Sequence, residues 1–480
     1  MSTISLLRKL AVILTTLQLA ACTSPSPDNT DQTKALTGSS ALMVAGCEST
    51  PTDDFASYIR PGWQNPSPTL QKIVIASDPQ PFRAMTKRNP YEEKVDEAKW
   101  KLNLSENWTG TFKLQRQGSY HIPLLVNGDM TDFGHGNERS AMRERMRKMG
   151  YENGPLMLPG LGNHDYDQNV GDCANNGCAR DAVCDHIKWV SAIKNNGTGV
   201  NFDYNYNASS RTHSGSLAYS LDVGNIHIVQ LNLQPNYTKN FSSGFPTKTH
   251  FNITSSMNWL RSDLQAAKQR GKYTIINMHN MVSDEAEVKA LSSLAADNKV
   301  VAIFAGHLHG SLGQVRKLGK VPVFQDGALL ARSFLTVLFY WDVKVMQVNA
   351  FADFNDAGEW KYNIDTLEPP APPEGSSMEI TVYTNANYQG KSCTLTLTVG
   401  HTTQLCSDYL LLPVNSMKVR NYSGSTLNLV GPILNYLMIN GSFTGDFELP
   451  DFNEGHTLPS PLTYHTFLPL RTYVNVESHK

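Results

Sequence analysis

Leu158-Pro159-Gly160-Leu161-Gly162-Asn163-His164-Asp165 runs from an apolar stretch through two glycines to an amide, an imidazole and a carboxylate in succession. Glycine lets a backbone turn sharply and come close to a neighbour. The three polar side chains are types that bind metal, move protons or orient a base. Alone the tetrad is suggestive. Its meaning depends on whether other segments supply partners.

Upstream, Gln71 to Ser77 is a short β-branched run that stops at Asp78-Pro79-Gln80. His121 to Val126 repeats the pattern and stops at Asn127-Gly128-Asp129-Met130-Thr131-Asp132. Pro155 to Leu158 is a third strand and leads into the tetrad. Helices are expected at Tyr91 to Leu102 and Glu138 to Met149. This alternation is βαβ logic with a mainly parallel sheet, which places ligands at the carboxyl ends of strands.

Downstream, Ala218 to Val223 and Ile226 to Leu231 read as hairpin strands joined at Gly224-Asn225. Ser255 to Arg270 is an amphipathic helix with Met257, Leu260, Leu264 and Ala267 on one face. Tyr273 to Met278 is a strand ending at His279, and Glu285 to Ala296 is a helix. Val300 to Ala305 ends at Gly306-His307-Leu308-His309-Gly310. Val321 to Phe324 and Phe334 to Ala350 are further strands. Asp167 to Ser216 is polar, carries cysteines and reads as a disulfide-tied excursion over the site with little regular structure.

Five turns therefore follow apolar strands and offer ligand chemistry: Asp78-Pro79-Gln80, Gly128-Asp129, Gly162-Asn163-His164-Asp165, His279-Asn280 and Gly306-His307-Leu308-His309. Carboxylates, imidazoles and amides suit Mn, Fe, Zn, Ni or Co, not a thiolate site. The donors outnumber what one ion with an open position needs, so two ions fit better. Two ions can lower the pKa of a bridging water and clamp the oxygens of an in-line displacement.

The series of motifs resembles the calcineurin-like metallophosphoesterase superfamily, over about residues 70 to 365. The resemblance implies an α/β fold of two packed mixed β-sheets flanked by helices, with a two-metal site at the strand ends. Carried over by position, Asp129 would bridge both ions. Asp78 and His309 would complete one site, and Asn163, His279 and His307 the other. His164 would act beside the phosphate, and Asp165 would orient it. The family's first motif has histidine where this chain has Gln80, so Gln80 either ligates through its oxygen or holds a metal-bound water. Asp132 stands where purple acid phosphatases carry a tyrosine ligand, which argues against the coloured ferric version.

At 480 residues, two or more domains are expected. The formal net charge is −2, with no basic block, so there is no electrostatic case for a nucleic-acid partner. Residues 1–21 read as a signal peptide: Arg8-Lys9, then an apolar run ending Leu19-Ala20-Ala21-Cys22. The ending resembles a bacterial lipobox with Cys22 as the lipidated residue, implying a membrane anchor. Thr23 resembles lipoproteins of the outer membrane, and an unused lipobox would leave a secreted protein. Residues 22–50 form a flexible tether. The six other cysteines suit an oxidising compartment: Cys393 with Cys406, and two bridges of open connectivity among Cys47, Cys173, Cys178 and Cys184. A zinc site on Cys173, Cys178 and Cys184 is the alternative.

The catalytic domain is expected over 51–368 and a Pro-rich linker over 369–377. A small all-β domain over 378–480 follows. Tyr383, Tyr388 and Gly390 have a spacing that resembles the βγ-crystallin Greek key, and Val414 to Val419 resembles its later serine-bearing strand. The acidic residues of the calcium-binding version are missing, and the segment beyond Tyr422 matches no second key. The expected function is hydrolysis of phosphomonoesters outside the cytoplasm by a hydroxide bridging two ions. The rivals are a phosphodiesterase on cyclic nucleotides, nucleic acid or lipid head groups, and a cell-surface binding protein with a degenerate metal site.

Overall fold

The computed structural model describes residues 45–48, 55, 59, 62–102, 122–151, 157–244, 246–353 and 355–370, with a set of strands between 376 and 478. The expected signal peptide, Cys22, most of the tether, Pro-rich positions 371–375, Tyr388 and Cys406 lie outside the described residues.

Two mixed sheets form the catalytic region. The first runs Asn355–Asn363, Val345–Ala352, Ser333–Tyr340, Leu70–Ala76, Leu124–Val126, Met157–Pro159. Leu70–Ala76 is parallel to Leu124–Val126, which is parallel to Met157–Pro159, and antiparallel to Ser333–Tyr340. The second runs Leu312–Leu318, Val321–Asp326, Val300–Ala305, Tyr273–Met278, Ile226–Gln230, Tyr219–Val223, Asn201–Phe202. Its four strands from Val321–Asp326 to Ile226–Gln230 are mutually parallel. Such strands are covered on both faces, which is why their sequences are near-continuous apolar runs.

One core joins the sheets: Ile73, Ile75, Leu125 and Leu335 from the first, with Ile228, Ile275, Phe304 and Phe324 from the second. Each such side chain contributes about 1.5–3 kcal/mol when fully buried. Helices Met257–Gln269 and Glu285–Asp297 cover the outer face of the second sheet through Leu260, Leu264, Leu291 and Leu294. Every strand that ends at a motif turn points its carboxyl end to one side, so the five turns converge. No helix among the described residues is long and apolar enough to cross a membrane.

Three expectations are corrected. Tyr91 to Leu102 is not one helix: Glu92–Val95 pairs antiparallel with Arg83–Lys87, and helical backbone begins only at 97. Arg83 and Glu93 are diagonal neighbours across that hairpin and form an ion pair, which favours strand pairing over a helical turn. Asp167 to Ser216 is far from irregular, because it holds the twenty-residue helix Gly177–Asn196. Ala179, Val183, Ile187, Val190 and Ile193 line its buried face at helical spacing. Phe334 to Ala350 splits into two antiparallel strands that turn between Tyr340 and Val345.

The cysteines settle as Cys47–Cys184 and Cys173–Cys178, so a zinc site on Cys173, Cys178 and Cys184 finds no support. The C-terminal strands form two sheets. One holds Gln389–Thr398, Ser376–Asn385, Ser416–Asn421 and Phe447–Leu449; the other includes Thr403–Gln404, Tyr473–Ser478, Leu427–Val430 and Leu437–Phe443. Each half sends one strand to the other: Thr403–Gln404 pairs with Tyr473–Ser478, and Phe447–Leu449 pairs with Ser416–Asn421.

Candidate metal centre

Asp129 is the shared member of two clusters, Asp129 with His279 and His307, and Asp78 with Asp129 and His309. In each cluster the candidate ligand atoms lie within 4.8 Å of one another. Asp78, Gln80, Asp129 and His279 are fully buried. Asn163 is 7% exposed, and its Oδ1 lies 2.9 Å from His279 Nε2. The structure thus brings together all seven residues that the sequence marked as ligands.

The turns are built for this convergence. Asp78, Gln80, Asp129 and His307 all take positive φ, from 27° to 69°. Side chains other than glycine rarely adopt that region, and such strain clusters at functional sites. Gly162 passes so close to Asp129 that an added Cβ would overlap its carboxylate. Gly128, at φ 90°, leaves no room for a Cβ beside His279 Nδ1 and the Gly162 backbone. Asn163–Asp167 then forms one turn of π-helix, and the His164 amide donates to Asp129 Oδ1 at 2.9 Å.

Two of the histidines are held by their far nitrogens. His279 Nδ1 donates to the Asn127 carbonyl at 2.8 Å, which leaves Nε2 3.3 Å from Asp129 Oδ2. His309 Nδ1 donates to Glu93 at 2.9 Å, and its Nε2 lies 3.0 Å from Asp78 Oδ1. Fixing one ring nitrogen in this way presents the other to a metal.

Gln80 Nε2 donates to Asp129 Oδ2 at 3.1 Å, while its buried Oε1 has no hydrogen-bond partner. An orphaned buried oxygen is costly, and a cation would satisfy it. Together with two carboxylates, three imidazoles and Asn163, this donor set fits two divalent ions. Electrostatics agree. Burial opposes charge on His279, but Asp129 and Asp78 outweigh it and raise it to about 9. Burial likewise opposes charge on His309, but Asp78 and Glu93 lift it to about 10. The carboxylates draw positive charge into a place closed to solvent, and bound ions would compete with those protons.

Asp165 is placed differently from expectation. Its carboxylate accepts from the amides of Met130, Thr131 and Gly162 and from the Thr131 hydroxyl, at 2.7–3.1 Å. It therefore ties two ligand-bearing turns together and does not orient the His164 ring. Asp132 takes that role: its carbonyl accepts from His164 Nδ1 at 2.7 Å. Burial first, then the Asp129 charge, push Asp165 up to about 7.

Four contributors were not marked by the sequence: Arg83, Glu93, Trp100 and Asn127. Glu93 sat in a stretch read as helix, and the Glu92-Glu93-Lys94-Val95 run carries no alternation that would have marked it as a strand. Trp100 Nε1 donates to the Pro79 carbonyl at 2.7 Å and pins the first turn. Asn127 contributes only its backbone oxygen to His279, which no side-chain motif announces.

No curated protein matches the chain. Among solved structures it resembles the calcineurin-like phosphoesterase YfkN from Bacillus subtilis at 13% identity and TM-score 0.29, over 62% of this chain and 91% of that one. It also resembles a protein serine/threonine phosphatase from Saccharomyces cerevisiae at 11% identity and TM-score 0.23, over 56% and 73%. Likenesses this weak decide nothing about fold or activity. The family model for calcineurin-like phosphoesterases matches residues 72–311, half of the chain. With the five turns converging inside that span, the chain belongs to the calcineurin-like phosphoesterase family.

Proposed function

We propose that the protein hydrolyses phosphomonoesters outside the cytoplasm, with two divalent ions held by Asp78, Gln80, Asp129, Asn163, His279, His307 and His309. The ions, when bound, would neutralise phosphate charge and lower the pKa of attacking water. The observation that carries the reading is the sharing of Asp129 between two ligand clusters.

His164 is the proton donor in this account. Its Nδ1 is fixed by the Asp132 carbonyl, and its side chain keeps 21% of its surface open. Nε2 then remains to protonate the departing alkoxide. Phe133 lies edge-on to the His164 ring, with centroids 5.8 Å apart. Two cations near the turns are already spent, Arg83 on Asp132 and Glu93, and Lys239 on Asp167. That favours a small monoester over a polyanionic strand.

Two disulfides support an oxidising compartment. With the signal and lipobox of the sequence, the chain would sit at the outer membrane through Cys22, or be secreted. The reciprocal strand exchange of the C-terminal region supports a pair of Greek keys, appended as a binding or stabilising module. The test is turnover of a nitrophenyl monoester and the matching diester by metal-reconstituted protein, with and without chelator. Chelator-sensitive monoester turnover is expected. Faster diester turnover would favour the phosphodiesterase reading, and no chelator-sensitive turnover of either would favour a binding protein.

A further inference from the structure

We propose that the hairpin of Arg83–Lys87 and Glu92–Val95 belongs to the catalytic apparatus, with Arg83 and Glu93 as positioning residues that couple His309 to His164. The links are continuous. His309 Nδ1 donates to Glu93 Oε2 at 2.9 Å. Arg83 Nη2 donates to Glu93 Oε1 at 2.7 Å, and its Nη1 donates to Asp132 Oδ1 at 3.2 Å. Asp132 holds His164 Nδ1 through its carbonyl at 2.7 Å, with its carboxylate 3.6 Å away. One arginine thus spans from a candidate metal ligand to the proposed proton donor.

A two-stranded hairpin is marginal by itself. This one is fastened at its base, where the Asp96 amide donates to the Phe82 carbonyl at 2.7 Å and Trp100 holds Pro79. Tyr91 adds a third hold on Glu93, its hydroxyl donating to Oε2 at 3.3 Å, while its ring lies edge-on to His309. The Arg83 and Glu93 side chains are 25% and 19% exposed. An isolated pair at that exposure stabilises little. Its effect here lies in geometry, because both residues that Arg83 grips hold a histidine of the site, Glu93 through its carboxylate and Asp132 through its carbonyl.

The link to His164 rests on the proposed role of that residue, whereas the link to His309 does not. The test uses the full chain with Arg83→Ala, Glu93→Ala, the double variant and the conservative Arg83→Lys and Glu93→Gln, with unfolding midpoints for each. Equilibrium dialysis against manganese alone is the first readout, and the turnover ratio of nitrophenyl phosphate to an alkyl phosphate is the second. Glu93→Ala is expected to weaken one of two ions about 10- to 100-fold, with partial rescue by Glu93→Gln. Arg83→Ala is expected to raise the ratio about tenfold, with partial rescue by Arg83→Lys. The double variant's ratio should fall short of the product of the singles, since both act through one chain of contacts. Unchanged manganese binding in Glu93→Ala, or effects that simply multiply, would overturn the proposal. A wild type inert to all phosphate esters would defeat the phosphatase reading, while dialysis would still decide Glu93.

Discussion

Gly162 lies against the Asp129 carboxylate so closely that even a methyl group there would overlap it. The glycine brings the third motif turn onto the carboxylate shared by both ligand clusters. Gly162→Ala should therefore disturb both clusters at once. We expect a fall in metal-dependent turnover of about 100-fold and a stability cost of about 1–3 kcal/mol from overpacking. Turnover with saturating metal and a urea melt measure these. Wild-type turnover in the variant would mean that the turn can move without loss.

His164→Ala separates proton donation from the rest of the site. Loss on an alkyl phosphate should reach about 10²–10⁴-fold, while an activated nitrophenyl ester, whose leaving group needs no proton, should lose far less. Equal losses on both substrates would remove His164 from the acid role and leave it a structural partner of Asp132.

A pH-dependent element sits away from the candidate metal centre. His227 lies between Asp222 and Asp263, at 2.7 and 2.8 Å, with Arg270 and Lys272 also facing Asp222. Burial opposes its charge, but the two carboxylates prevail and raise it. Burial acts to raise both carboxylates, and the His227 hydrogen bonds outweigh it and lower them. The raised histidine stabilises fully below its unfolded pKa, and that contribution fades as pH rises through its folded value. The lowered carboxylates stabilise above their unfolded pKa and lose this as pH falls. The cluster's contribution should thus peak between about pH 4 and pH 6.5. The difference in unfolding midpoint between wild type and His227→Asn should shrink from about pH 6 to pH 9. A constant difference across that range would contradict the assignment.

The Cys47–Cys184 disulfide closes a separation of 137 residues and ties the segment at Gly46 to the helix Gly177–Asn196. Loop-closure entropy puts its loss at about 4–5 kcal/mol. Cys173–Cys178 closes only five residues and should matter less. Denaturant melts of Cys47→Ser/Cys184→Ser and Cys173→Ser/Cys178→Ser would rank them. The opposite ranking would show that the long link is already compensated by packing around Lys188, whose Nζ donates to the Cys47 carbonyl.

Strands buried on both faces were legible because their sequences are unbroken apolar runs, and Tyr273–Met278 and Val300–Ala305 fall where the pattern places them. The ligand-bearing turns were legible because each follows such a run. The helix Gly177–Asn196 was missed because Arg180, Asp181, Asp185 and Lys188 break up the apolar run along the sequence; Arg180, Asp181 and Asp185 are engaged in ion pairs, two of them with Arg139. Asp165 was expected to orient His164 and Asp132 does so instead, because adjacency in sequence says nothing about where a π-turn aims a carboxylate. Glu93 escaped notice because its partners, Arg83 and His309, lie 10 and 216 residues away.

The central claim is that Asp129 is shared between two metal ions. Metal content after saturation with manganese and removal of free ion tests it most directly, in wild type and in Asp129→Ala. Two ions per wild-type chain are expected, with loss of both, or near-complete loss, in the variant and the fold retained. One ion or none in the wild type, or two in Asp129→Ala, would contradict it.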